Sequence, residues 1–443
     1  NGGPTASTNS PFDDPAAFTF GESGEESVIK CGSYIGNGDN DGVAVELGWE
    51  PQYILVKCTD LGEHWYIMDS MRGIISGGSG DQNLIPNSDA NESTISQIDL
   101  TSTGFKCANS DDKINGDGHD YIYIAIRRPD GYVGKPAEAG TDVFSMDTGG
   151  SQTATPNYDS THVTDFAIYS QPDVGGDTRW TSARLLGKNE LKANDSSADA
   201  EYSGNSWDSN LGWNKNGSGT GSQSWMWKRH AGFDVVTYKG NGVSGRQIPH
   251  SMNKIPEMMW VKNRDLGSEN WFVYHKDLAL AAGDGGTDSE KDYFFLNLAD
   301  SYYSGSGAWN NTAPTSTHFT VGNSDTVNDN TQDMIAMLFS SVSGVSKVGS
   351  YSGQSSNLDL DLGFQPRFFL CKRTNTTGEW VMFDTVRGLG SGNDKRMYLS
   401  TTTAQDSYDQ GSLSSNGITL IAGAANFVLS TSSSDKYIYY AHA

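Results

Sequence analysis

Cysteine is scarce in this chain of 443 residues: there are four, Cys31, Cys58, Cys107 and Cys371, with no CxxC or Cys/His spacing. That removes the common zinc and dithiol redox motifs. Cys58 and Cys371 lie inside apolar runs and read as small buried hydrophobes. A bridge such as Cys31 to Cys107 is open, because spacing alone cannot decide it. Positive charge is scarce as well. Thirty Lys and Arg stand against 54 Asp and Glu, a formal net charge of −24. Such a surface repels phosphate backbones and anionic lipid, which argues against nucleic acid and membrane as partners. No run of eighteen apolar residues occurs, so no membrane insertion by a spanning helix is expected. The chain opens on Asn1 without an apolar leader, which fits either a removed segment or a piece of a longer polypeptide. HExxH, GxSxG and a Gly-rich phosphate loop ending in Lys-Ser or Lys-Thr are all missing, and the eight histidines are scattered. With no nucleophile, base and orienting group that can be named together, the reading is not an enzyme.

Helical periodicity is rare too, whereas 52 glycines and 11% aromatic residues favour short strands joined by Gly, Ser, Asn and Asp turns. The expected class is therefore all-β, and the length allows two to four domains. Internal repeats decide the plan. CGSYIGNG (Cys31–Gly38), LGWEPQYILVKC (Leu47–Cys58), HWYIMDSMRG (His64–Gly73), TGFKC (Thr103–Cys107) and DYIYIAI (Asp120–Ile126) are answered near the end of the chain. There the chain reads VGSYSGQ from Val348, LGFQPRFFLCK (Leu362–Lys372), EWVMFDTVRGLG from Glu379, NGITL from Asn416 and KYIYYAHA from Lys436. Pro51 to Trp65 and Pro366 to Trp380 are both 14 residues. A third copy runs from VVTYKGNG at Val235 through KIPEMMWVKNR to DMIAMLF at Asp333, and a degenerate one holds RWTSARLLG at Arg179 and SWMWKR at Ser224. The expectation is a tandem array of four β-sandwich-like repeat units: a tail or linker at 1–26, then units at 27–141, 142–232, 233–344 and 345–443. Joins are short, so neighbouring units should touch and form a stiff rod or a compact cluster. In DYIYIAI, Tyr121, Tyr123 and Ala125 alternate with Ile122, Ile124 and Ile126, the pattern of a strand covered on both faces.

Repetition also sorts candidate sites, since scaffold residues should recur in several copies. Trp65, Trp180, Trp271 and Trp380 are assigned to one topological place and read as buried anchors between sheets. Asp69 with Arg72 and Asp384 with Arg387 read as local ion pairs ending a strand. Less regular aromatics in polar loops, Trp207, Trp213, Tyr302, Tyr303 and Trp309, are the candidates for contact with a glycan or protein. The acidic loop with Asp111, Asp112, Asp117 and Asp120 is the candidate metal site, for calcium. Asn37, Asp39, Asp41 and Gly42 share offsets with an EF-hand start, but Gly48 stands where the bidentate Glu belongs. Otherwise no cofactor is expected.

The signature GSYIGNG, LGWEPQYILVK, WYIMDSMRG and YIYIA, with its partners in the last unit, resembles the β-rich repeat of tail-fibre-like virion proteins of marine bacteriophages, of the cyanophage type. The resemblance spans about residue 27 to the C-terminus, clear in the first, third and fourth units and faint in the second. It implies a structural or adhesive protein of the virion surface, outside cells, with other virion proteins as partners and host surface glycans or proteins contacted by loops. It also implies a homo-oligomer, a trimer being one such form. Two other readings stay open: a capsid decoration protein, and a secreted bacterial adhesin with carbohydrate-binding β repeats.

Overall fold

The computed structural model describes residues 26–77, 80–149, 156–217, 221–279, 288–390, 392–423 and 427–443; most of the expected tail lies outside them. The fold is all-β. Its longer strands form four six-stranded antiparallel sheets that follow one another along the chain. The first is ordered Ile29–Ile35, Asp120–Arg127, Pro51–Cys58, Trp65–Asp69, Gln82–Leu84, Ser93–Thr94, so the opening and closing strands of the unit pair with each other. The other three repeat this order, beginning at Phe144–Asp147, Phe233–Lys239 and Ser346–Ser352. A small sheet of two or three strands lies with each large one, for example Ala44–Glu46, Gly104–Cys107 and Ile98–Thr101 in the first unit. Between the two layers sit hydrophobic clusters rich in aromatic rings, such as Phe369, Tyr437 and Tyr439 in the fourth unit and Phe319, Trp309 and Leu338 in the third.

Strand register fixes which residues correspond between units. Tyr53 pairs with Asp69 and Ile126, Phe166 with Ala183 and Trp227, Met258 with His275 and Phe339, and Phe368 with Asp384 and His442. Counting back four residues from Asp69, His275 and Asp384 gives Trp65, Trp271 and Trp380, but from Ala183 it gives Arg179. The expectation that Trp180 shares the place of the other tryptophans is therefore corrected. Trp180 is one residue out of phase, and with a period of two that puts it on the opposite face of its sheet.

Second, third and fourth sheets turn equivalent faces toward one another. Phe166 meets Phe233 at 5.8 Å between ring centroids, Phe144 meets Phe368 at 5.5 Å, and Phe339 meets Tyr440 at 4.9 Å. At the rims, one hydrogen bond recurs three times. The Trp380 indole donates to Phe295 O (3.0 Å), the Trp271 indole to Lys192 O (2.8 Å), and the Arg179 guanidinium, standing in for the indole, to Tyr398 O (3.1 Å). Phe295, Lys192 and Tyr398 correspond by register, each paired with the residue after the Trp or Arg position. Fourth unit binds third, third binds second, and second binds fourth: the three sheets close a ring with a pseudo-threefold axis. The array is thus a compact cluster rather than a rod.

The first unit sits outside this ring. Ile75 packs on Gly187 of the second unit, and Ser76 accepts from Arg264 and donates through its backbone to Leu185 O. A buried ion cluster ties it further to its neighbours: Glu50 with Arg229 at 2.5 Å and Arg128 at 3.3 Å, and Asp234 with Arg128 at 3.1 Å and Arg229 at 3.5 Å. Here another expectation fails. Tyr121, Tyr123 and Ala125 are buried as predicted, but Ile122, Ile124 and Ile126 are 41%, 38% and 39% exposed, because among the described residues no second layer covers that side of the first sheet.

Candidate functional site

Asn115 joins the two loops that sequence offered for calcium. Its buried side-chain amide donates to Asn37 Oδ1, Asp39 O and Asn109 O, each at 2.9 Å, and its Oδ1 accepts from the Asn37 backbone at 3.2 Å. Asn328 fills the same role in the third unit, donating to Val243 O and Gly322 O and accepting from Asn241. Asp111 is engaged by Lys113 at 2.5 Å, while Asp112, Asp117 and Asp120 point out into solvent. Among the described residues no three His, Cys, Asp or Glu side chains come together as metal ligands. The structure does not bring Asp111, Asp112, Asp117 and Asp120 together: the loop wraps an amide and splays its carboxylates. Asn115→Ala strands one donor and three acceptors and is expected to cost roughly 2–4 kcal/mol. Denaturation midpoints with and without calcium check this: the variant should fall, and calcium should leave the wild type unmoved.

Three of the five candidate loop aromatics are core residues. Trp207 and Trp213 stack on each other at 5.0 Å, and their indoles donate to Gly187 O and Ser224 Oγ; Trp309 is buried and donates to Asp292 O. A buried indole needs an acceptor, and these find theirs inside the fold. Tyr302 is half-buried at the seam with the fourth unit, its backbone donating to Thr374 O. Tyr303 remains on the surface, 40% exposed, stacked on Tyr293 with its hydroxyl on Asp300. The Asp-Arg motif behaves as expected: Arg72 and Arg387 each return to Asp69 and Asp384 through both backbone and side chain. In the fourth unit that carboxylate also takes the Trp225 indole of the second unit at 3.0 Å, so a local cap doubles as a seam contact. All four cysteines are free: Cys31 is exposed on the first sheet, whereas Cys107 is buried with its thiol on Ile114 O, so the two are not bridged.

Lysines recur at the seams. Lys262 donates to Asn263 O, Leu266 O and, across the boundary, Ser196 O. Lys372 donates to Gly378 O and lies over Trp380 and over Phe294 of the third unit. The second unit has Ser170 at this register position, and the Arg179 guanidinium reaches it at 2.8 Å, so the cation is supplied from the adjacent strand. Burial pulls Lys262 down to about 8, Lys372 to about 7 and Arg179 to about 10. Between pH 7 and 10.5 the unfolded chain then holds more protons on these lysines than the folded one, so stability rises with pH across that window. In the double variant Lys262→Met, Lys372→Met this rise, on the order of a few kcal/mol, should vanish from a pH series of unfolding midpoints.

Polar side chains converge in one further place, a cleft of about 300 Å³ between the first and third units. Asp41, Asp99 and Lys106 line it from one side, and Lys239, Arg246, Arg264 and Asp333 from the other. Asp41 pairs with Lys106, Asp99 takes the Gly77 N–H at 2.8 Å, and Arg264 holds Asp199 at 2.9 Å. Burial raises the carboxyl groups of Asp99 and Asp333. Carboxylates and cations at this density suit a neutral polyhydroxyl group or a peptide better than a single ion. Repeat comparison could not find the cleft, because it lies between units.

Fold and seam together define an all-β protein of several antiparallel sheets arranged as sandwich-like units. The profile of a family described as "Domain of unknown function (DUF7483)" matches residues 3–128 and 180–443, and the chain belongs to that family. The unmatched stretch between them ends at Arg179, the residue that replaces the ring-closing tryptophan. No curated protein matches the chain.

Proposed function

We propose that this protein is a structural and adhesive subunit of a virion surface appendage, a tail fibre or surface fibre, that meets host surface glycans or proteins through its loops. The repeat signature supports the virion setting. The ring of three sheets carries the structural part of the reading: its indoles, lysines and arginines are engaged with neighbouring units, which is the use expected of a load-bearing body. Contact with a partner falls to what lies outside the ring, the charged cleft at the first unit and surface rings such as Tyr303. Weak contacts of this kind gain strength when repeated across copies.

Antibody labelling of purified phage particles tests the reading. Label confined to a few symmetric positions at the tail supports a fibre subunit. Label spread over the head sinks the fibre and leaves a decoration protein, and absence from particles sinks the virion setting altogether.

A further inference from the structure

The open face of the first sheet has three covered counterparts in the same molecule. By register Ile124 corresponds to Trp225, Met337 and Tyr440, each 1% exposed or less, whereas Ile124 is 38% exposed. Ile126 corresponds in the same way to Trp227, Phe339 and His442, all likewise buried. Ile29, at 58%, corresponds to Phe144, Phe233 and Ser346. In the ring, each of these faces is covered by two others of its own kind. We infer that the first sheets of three chains pack on one another as the second, third and fourth sheets of one chain do, making a homotrimer with this face as its core.

Several observations favour copies of this chain over another occupant. The face is built like the three that are known to interlock: apolar across the middle, with Cys31 where Met146, Val235 and Val348 stand. Its one cation, Lys57, occupies the place of Lys262 and Lys372, the lysines that lie at the seams. Correspondence also supplies a specific contact. Phe233 packs on Phe166 at 5.8 Å and Phe144 on Phe368 at 5.5 Å, each across a seam, so Ile29 of one chain meets Tyr53 of the next. An apolar sheet face left in water marks an interaction site. The alternation of DYIYIAI, with both faces apolar, is satisfied only when this side is covered. The inference stands on register and burial and does not need the virion reading.

Sedimentation equilibrium of the 443-residue chain should return three times 47.8 kDa, and Cys31, the only exposed cysteine of the four, should resist thiol reagents. Ile124→Lys should sediment as a monomer with an unchanged circular dichroism spectrum and a freely reacting Cys31. Should that variant fail to fold, Ile29→Lys, at the more exposed sheet edge, reads the same property. A wild-type monomer or dimer overturns the inference, as does a trimer that survives both substitutions. A monomer with protected Cys31 also overturns it, since the face would then be covered by residues 1–25 of its own chain.

Discussion

Glu50→Ala should destabilise the protein by about 3–5 kcal/mol, although the position reads Gln365 in the last repeat and looks replaceable. Glu50 is 4% exposed and shares the Arg128 and Arg229 guanidinium groups with Asp234. Four residues from three units therefore neutralise one another away from water. Removing one carboxylate leaves two buried cations with a single close acid, and burying an unpaired charge is among the costliest changes a fold can suffer. The Glu50 carboxylate is the strongest charge favouring the cationic form of Arg128, a residue only 7% exposed. Chemical denaturation of the variant checks the figure, and Glu50→Gln should recover part of it by keeping a hydrogen-bond acceptor. A loss below about 1 kcal/mol, the range of a surface pair, contradicts the burial assigned here.

Trp380→Ala is the second large effect, about 3–5 kcal/mol from the lost side chain alone. The residue is 1% exposed, packs edge-on against Phe294 at 5.9 Å, and ties the fourth unit to the third through Phe295 O. The substitution strands that carbonyl and uncovers Lys372, which adds to the cost. Trp65→Ala, the same change in the same motif of the first unit, should cost far less when both changes are made in the monomeric Ile124→Lys background, because within one chain Trp65 is only half-buried. Thermal unfolding of the two variants side by side gives the contrast. Equal losses would mean that the tryptophan serves its own sandwich rather than the ring.

That contrast explains what sequence could and could not reveal. The all-β class and the proline-led strands were legible, because periods of two and turn residues are local properties. The ion pairing of Asp69 with Arg72 was legible too, since three residues of separation at a strand end leave little choice of partner. What differed between copies was misjudged. A search for recurring residues passes over Glu50, yet the first unit meets the ring at a junction that no other unit makes, and the residues of such a junction must differ from copy to copy. Arg179 was hidden by the tryptophan beside it, and only register separates the two. Trp207, Trp213 and Trp309 were assigned to loops because glycine, serine and asparagine surround them. Small polar neighbours are what allow large rings to be drawn inward from a short turn, so composition pointed the wrong way. Asn115 could have been found: the same amide recurs as Asn328 at the equivalent loop, a repeat among polar residues rather than apolar ones.

Closure of the ring is the claim on which the seam tryptophans, the buried lysines and the trimer all depend. The closing contact joins the second unit to the fourth, where Gln405 Nε2 reaches Asp173 Oδ1 at 2.6 Å across 232 residues of sequence. In a Cys31→Ser background, cysteines placed at Asp173 and Gln405 should be linked within one chain by a short bis-maleimide, giving a faster-migrating monomer band on a denaturing gel. A rod of four units would hold these positions far apart, and failure to form that intrachain link in the folded protein would contradict the ring.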